Sequence, residues 1–266
     1  MTDIHKSAVI DAAAKIGSGS VIGAFSLIGP DVTLGDGVHI HSHVVVTGRT
    51  SIGPGTEIFP FASIGHQPQD LKFKGEPSTL RIGANCIIRE GVTMNPGTEG
   101  GGMATIIGNT CAFLANSHVG HDCHIGNNVI FSNGVLLAGH CTVGDFAIMG
   151  GGAGIIQFAR VGAHSFLGGM SALEDDLIPY GMAIGNRAHL NGLNIIGLKR
   201  RGFANSDVQS LRRAYRLLFA DEGTLMERVE DVAVEFKDNP IVTEIVAFIR
   251  VGGKRRICTP RDAAVV

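Results

Sequence analysis

A large apolar residue recurs at every sixth position from Ile4 almost to Pro179. One run joins Ile4, Ile10, Ile16, Ile22, Ile28, Leu34, Ile40, Val46, Ile52, Ile58 and Ile64; a short second run is Ile82, Ile88 and Met94. The third steps from Ile107 through Phe113, Val119, Ile125, Phe131 and Leu137 to Leu173. Across these 26 hexads the residue four places on is small or β-branched, except at Pro68 and Leu177. Glycine follows the apolar residue directly in fourteen of them. A period of six matches neither the 3.6 of a helix nor the 2 of a flat strand. It predicts short strands joined by tight turns and coiled around one apolar axis, a β-helix.

The pattern resembles the hexapeptide-repeat folds, in which three hexads close one triangular coil of about 18 residues and the coils wind left-handed, against the usual crossover rule. At a strand spacing of about 4.8 Å, between eight and nine coils make a prism roughly 40 Å tall. Two interruptions read as loops leaving it, near 66–80 and near 97–105. Beyond Tyr180 the period becomes helical. Ser206-Asp207 offers a cap before Val208, Leu211, Tyr215 and Leu218, and Thr224 to Glu227 fits a capping box. Asn239-Pro240 starts a further helix that Gly252-Gly253 ends. The expected organisation is a β-helix over 1–186 and a helical domain over 187–266 that covers the open end of the sheets.

Composition narrows the class. The 38 glycines, two tyrosines and no tryptophan suit a turn-rich β protein, and a net charge of −2 argues against a general nucleic-acid binder. Neither a signal-like start nor a membrane-length apolar run is present, so the chain reads as cytoplasmic. Cys86, Cys111, Cys123 and Cys141 share the small inward hexad position and read as compact core residues.

Chemistry enters through the 18-residue coil. His121 falls beneath Gly139 and Gly139 beneath Gln157, while Asp122 falls beneath His140. Two imidazoles, a carboxylate, an amide and a bare glycine N–H thus share one patch, the ingredients of a base with its orienting partner and of an oxyanion donor. His39, His41, His43 and His124 read as solvated corner residues. His118, His121 and His124 do not make a zinc set, because residues three apart on an extended strand lie about 10 Å apart. The basic run Lys199 to Phe203, with Arg212, Arg213 and Arg216, is either a solvated face or a dock for an anion.

Four separated segments resemble the UDP-N-acetylglucosamine O-acyltransferases of lipid A synthesis. They are Asn116 to Cys123 (NSHVGHDC), Leu137 to His140 (LAGH), Gln69 to Lys72 with Gly75 to Pro77, and Gly197 to Phe203 (GLKRRGF). The resemblance spans the whole chain. It implies a homotrimer with active sites between subunits, no metal and no cofactor. The reaction it implies moves an (R)-3-hydroxyacyl group from acyl carrier protein to the 3-position of UDP-N-acetylglucosamine. His121 would be the general base, Asp122 its orienting partner and the Gly139 N–H the oxyanion donor. His118, His140 and Gln157 would contact substrate, Asp70 and Lys72 would grip the sugar, and Asn194, Arg200 and Arg201 would meet phosphate. Gly169 falls at the acyl-length ruler position, where a glycine implies a chain longer than ten carbons.

Asn95-Pro96, Ile156 and Ile196 depart from that family's usual residues, so a 3-amino analogue of the sugar is a further possible acceptor. Other hexapeptide-repeat enzymes fit less well. The N-acyltransferase of the same pathway carries an additional N-terminal domain, and coenzyme-A acyltransferases lack the Gln69–Pro77 and Lys199–Phe203 motifs. A γ-type carbonic anhydrase would need zinc between subunits, and an ice-binding face would need flat threonine arrays.

Overall fold

The computed structural model describes residues 2–261. Twenty-six short strands wind into a three-faced prism, the first coil being Asp3–Ile4, Val9–Ile10 and Lys15–Ile16, one strand on each face. Stacking gives a first face of nine strands, to which two later ones add, a second of nine and a third of eight. Pairing along the prism is parallel and in register, as in Val21 with His39 and Leu27 with Val45, one 18-residue coil apart.

The hexads account for this geometry. Each apolar residue closes a two-residue strand and points at the axis, where Ile40, Ile58, Ile88, Val119 and Leu137 are fully buried. Burying each such side chain is worth about 1.5–3 kcal/mol. The small residue four places on fills the inside of the next corner, which is where Cys86, Cys111, Cys123 and Cys141 lie as free, buried thiols. At the corner between them the backbone turns left-handed, through glycine at Gly19 and Gly37 but through side-chain-bearing residues at Asp122 (φ 59°), His140 (φ 62°) and Phe158 (φ 67°).

Both sequence interruptions leave the prism as loops and return in register. Ser63 pairs with Thr93, 30 residues on, and Thr93 with His118, 25 on, instead of 18. The two loops emerge from the same edge, between the second and third faces.

The prism continues past residue 186. Gly181–Ile184 and His189–Leu193 form an antiparallel hairpin that extends the first face. Then come α1 (Ile195–Arg200), α2 (Asn205–Leu218), α3 (Leu225–Glu235) and α4 (Pro240–Val251). The helix starting at Asn205 is capped two residues before the expected Ser206. Ala204 is the cap, and Asp207 reaches back to accept from its N–H. Thr224 and Asn239 cap α3 and α4 as expected. Arg160 ties the last coil to α4, binding the buried Asp176 carboxylate at 2.6 Å and the Phe248 carbonyl at 3.0 Å. No helix among the described residues is long and apolar enough to cross a membrane.

Candidate active site

Three successive coils turn from the second face to the third through Gly120–Cys123, Ala138–Cys141 and Ile156–Ala159, directly above the edge from which both loops leave. The stacking read from the 18-residue spacing is present: the His140 N–H donates to the His121 carbonyl at 2.8 Å, and the Phe158 N–H to the Gly139 carbonyl at 3.2 Å. The left-handed turn at Asp122, His140 and Phe158 sets their side chains one above another. The His140 and Phe158 rings stack 4.5 Å apart, and the His121 and His140 rings meet edge-on at 4.8 Å.

His121 Nδ1 lies 2.7 Å from Asp122 Oδ2, and the two side chains are 8 % and 1 % exposed. A carboxylate only accepts, so Nδ1 carries a proton toward it, and in the neutral tautomer that this arrangement selects, the lone pair lies on Nε2. That nitrogen faces Gly139, where an added Cβ would fall 2.6 Å away. Among the described residues no acceptor meets the Gly139 N–H. An imidazole nitrogen and an unused donor therefore sit side by side.

The carboxylate is held from below as well. Asp122 Oδ1 accepts from the Thr98 N–H at 2.7 Å and Oδ2 from the Thr98 hydroxyl at 2.6 Å. The Asp122 N–H donates to Thr105 Oγ1 at 2.8 Å. His140 Nδ1 stands 3.6 Å from Oδ2, too far for a hydrogen bond. Burial lowers the pKa of His118 and of His140, the nearby Asp122 charge partly opposing it at His140. Desolvation disfavours an imidazolium, so both are neutral rings at neutral pH.

Two clefts flank this corner. A groove of about 480 Å³ runs from His118, His121 and Gly139 over an apolar floor of Leu136, Gly154 and Ala172. On the loop side, a second cleft of about 580 Å³ is bounded by Asp70, Lys72, Thr98, His140 and Phe158, with Lys254 over the Phe158 ring at 3.9 Å.

Comparison with known proteins gives the family. Residues 4–48 and 104–139 match the bacterial transferase hexapeptide repeat, and residues 176–258 match domain 2 of UDP-N-acetylglucosamine O-acyltransferase. The acyl-[acyl-carrier-protein]–UDP-N-acetylglucosamine O-acyltransferase of Caulobacter vibrioides is 51 % identical over 97 % of this chain and 98 % of its own. The chain belongs to the UDP-N-acetylglucosamine O-acyltransferase family. The Methylobacterium radiotolerans enzyme of that name is 69 % identical over 77 % of this chain and 75 % of its own. Among solved structures, the family member from Campylobacter jejuni superposes with a TM-score of 0.92 at 37 % identity, covering 97 % of this chain and 100 % of its own. The prism is thus the family's left-handed parallel β-helix, and the chain is an acyltransferase.

The residues expected to act together fall into two groups. His118, His121, Asp122, Gly139, His140 and Gln157 gather at the corner, with Asp70 and Lys72 on the loop facing His140. His118 Nδ1 shares a 2.7 Å hydrogen bond with Thr93 Oγ1. Asn194, Arg200 and Arg201 lie instead at the edge between the third and first faces. There Asn194 caps α1 and donates to the His164 carbonyl, and Arg201 donates to the Phe146 carbonyl at 2.7 Å. Phe203 closes that edge against the stacked rings of His164 and Tyr180. Gly169 sits in the turn between Phe166–Leu167 and Ala172–Leu173, beyond the groove's lining in a single chain.

Among the described residues, two sets of three side chains bring metal-binding atoms within 4.8 Å of one another: His121, Asp122 and His140, and separately His39, His41 and Glu57. In the first, the carboxylate oxygen is already engaged by His121 and Thr98. In the second, His41 Nε2 is hydrogen-bonded to Glu57 at 2.7 Å. Reasoning from the sequence missed Thr98, Gly101 and Thr105. Thr98 falls within the segment expected to leave the prism near 97–105, and no spacing in the sequence reports that this loop folds back onto Asp122.

Proposed function

We propose that this corner transfers an (R)-3-hydroxyacyl group from acyl carrier protein to the 3-hydroxyl of UDP-N-acetylglucosamine, the first step of lipid A synthesis, in the cytoplasm. The observation that carries the reading is the pairing of His121 Nε2, freed by the Nδ1–Asp122 bond, with the unused Gly139 N–H beside it. Relatives spanning nearly the whole chain carry the name of this activity.

In the derived mechanism, His121 Nε2 takes the proton of the sugar hydroxyl as its oxygen attacks the thioester carbon. The carbonyl π pair moves onto oxygen and meets the Gly139 N–H, a donor fixed before the charge develops. Asp122 keeps the ring in the right tautomer and stabilises the imidazolium. Collapse of the tetrahedral intermediate breaks the C–S bond, and His121 returns the proton to the departing sulfur. A thioester is already activated, so positioning supplies much of the remaining acceleration. The apolar floor of Leu136, Gly154 and Ala172 suits the acyl chain, and the glycine at 169 suits one longer than ten carbons.

A homotrimer completes the site. In one chain Arg200 and Arg201 stand at a different edge from His121, and Arg201 Nη1 is buried without a partner among the described residues. A neighbouring subunit that brought its Asn194, Arg200 and Arg201 to this corner would supply the donors a diphosphate needs. The test is His121→Ala, assayed with UDP-N-acetylglucosamine and mixed 3-hydroxyacyl carrier proteins, the product read by mass spectrometry. The wild type yields the 3-acylated sugar nucleotide and the variant, still trimeric, yields none. Near-normal turnover by the variant overturns the assignment.

A further inference from the structure

We propose that Thr98, on the second loop, is a positioning residue that assigns the Asp122 carboxylate to His121. The proposal deepens the acyl-transfer reading and rests on it. Asp122 faces two imidazoles, with His121 Nδ1 at 2.7 Å and His140 Nδ1 at 3.6 Å from the same oxygen. Rotation about the last carboxylate torsion is soft, so the side chain does not by itself choose between them. Thr98 fixes that torsion by placing one donor on each oxygen, its N–H on Oδ1 and its hydroxyl on Oδ2. With both oxygens pinned, the lone pair left on Oδ2 faces His121.

Three further features support the assignment. Asp122 and Thr98 are only 6 % and 5 % exposed, which leaves little room for water to replace the missing donors. Gly101 lies over the carboxylate so closely that a Cβ there would fall 1.9 Å from Asp122 Cγ. The loop is itself anchored, since the Gly101 and Met103 N–H groups both return to the Thr98 carbonyl and the Gly97 N–H reaches the Thr79 carbonyl. Thr98 borders the cleft that holds Asp70 and Lys72, yet its N–H and hydroxyl proton are both given to Asp122. It has no donor left for a ligand. A role through Asp122 is what remains, and it predicts an effect on kcat rather than KM.

The experiment compares Thr98→Val, Thr98→Ser, Asp122→Asn and the Thr98→Val/Asp122→Asn double variant. It measures kcat, KM for both substrates and the melting temperature of each. Thr98→Val is expected to lower kcat about tenfold or more, the worth of a hydrogen bond to a buried charge, with KM within about twofold. Thr98→Ser restores kcat. In the Asp122→Asn background, Thr98→Val adds nothing. If Thr98→Val melts early, Thr98→Ala, which introduces no new contact, carries the same expectation. Unchanged kcat in Thr98→Val or Thr98→Ala beside an impaired Asp122→Asn overturns the positioning role alone. A full additional loss in the double variant also overturns it, because Thr98 would then act elsewhere. Wild-type kcat in Asp122→Asn removes the dyad itself, and the acyl-transfer reading falls with the proposal.

Discussion

The α-carbon of Gly139 faces the His121 ring so closely that an added Cβ would lie 2.6 Å from Nε2 and 2.7 Å from Cε1. A methyl group there must push the imidazole out of line with Asp122 or move the Gly139 N–H. Gly139→Ala is expected to lower kcat by roughly 100-fold or more, the scale of losing an oxyanion donor. Initial rates beside an unchanged melting temperature check it. A rate close to wild type would show that neither group works where the structure puts it.

Gly101→Ala attacks the same dyad from the second loop. Its Cβ would overlap the Asp122 carboxyl carbon, whose two oxygens are held by Thr98. The expected outcome is a fall in kcat of about tenfold or more, with sugar-nucleotide affinity by calorimetry unchanged. A variant with full kcat would mean that the loop yields at no cost.

Acid stability should depend on His164. Its ring is sandwiched between Phe146 and Tyr180, and its Nδ1 is buried without a partner among the described residues. Burial, and then the positive charge of Arg201, lower its pKa. The folded state therefore binds fewer protons than the unfolded one, whose histidine titrates near pH 6.5. The contribution is intact above that value and is lost as pH falls through the folded pKa. Melting temperatures at about pH 7.5 and about pH 5.5 should show a drop that His164→Phe reduces while keeping the stack. An equal drop in the variant would place the sensitivity elsewhere, with His118 and His140, which carry the same sign, as the next to replace.

The junction between prism and helices should be fragile at Arg160. Asp176 is fully buried and takes both the Arg160 backbone N–H and its guanidinium, while the guanidinium also lies 4.2 Å over the Phe248 ring. Arg160→Met leaves a buried carboxylate without its cation and should cost about 3–5 kcal/mol. Adding Asp176→Asn should recover part of that. Chemical denaturation of the three variants measures both numbers, and an additive double variant would contradict the pairing.

The prism was legible because its period is imposed by the corner itself: one apolar residue per strand and one small residue per turn leave little freedom. Stacking follows from the same arithmetic, which is why the sequence alone puts Gly139 over His121 and His140 over Asp122. The caps at Thr224 and Asn239 were equally local. What escaped was set by chain that does not repeat. Thr98 reads as part of a loop, but nothing in the spacing reports that this loop returns to Asp122. The choice of Asp122 between two histidines depends on under an ångström of separation. The hairpin Gly181–Leu193 is too short and glycine-broken to register as a pattern, and no spacing reports that Arg200 and His121 occupy different edges of the prism.

Both loops begin and end on adjacent rungs of one edge, and the ladder resumes in register after steps of 30 and 25 residues. The scaffold is therefore indifferent to how long the chain stays outside it, provided it returns to the next rung. For the coils, the length of 65–78 and 95–103 is adjustable by whole insertions at little cost, and only contacts such as those of Thr98 and Gly101 to Asp122 constrain what the loops carry. A graft of these two segments between relatives would exchange the surroundings of His121 as a cassette while the barrel of strands beneath stayed the same.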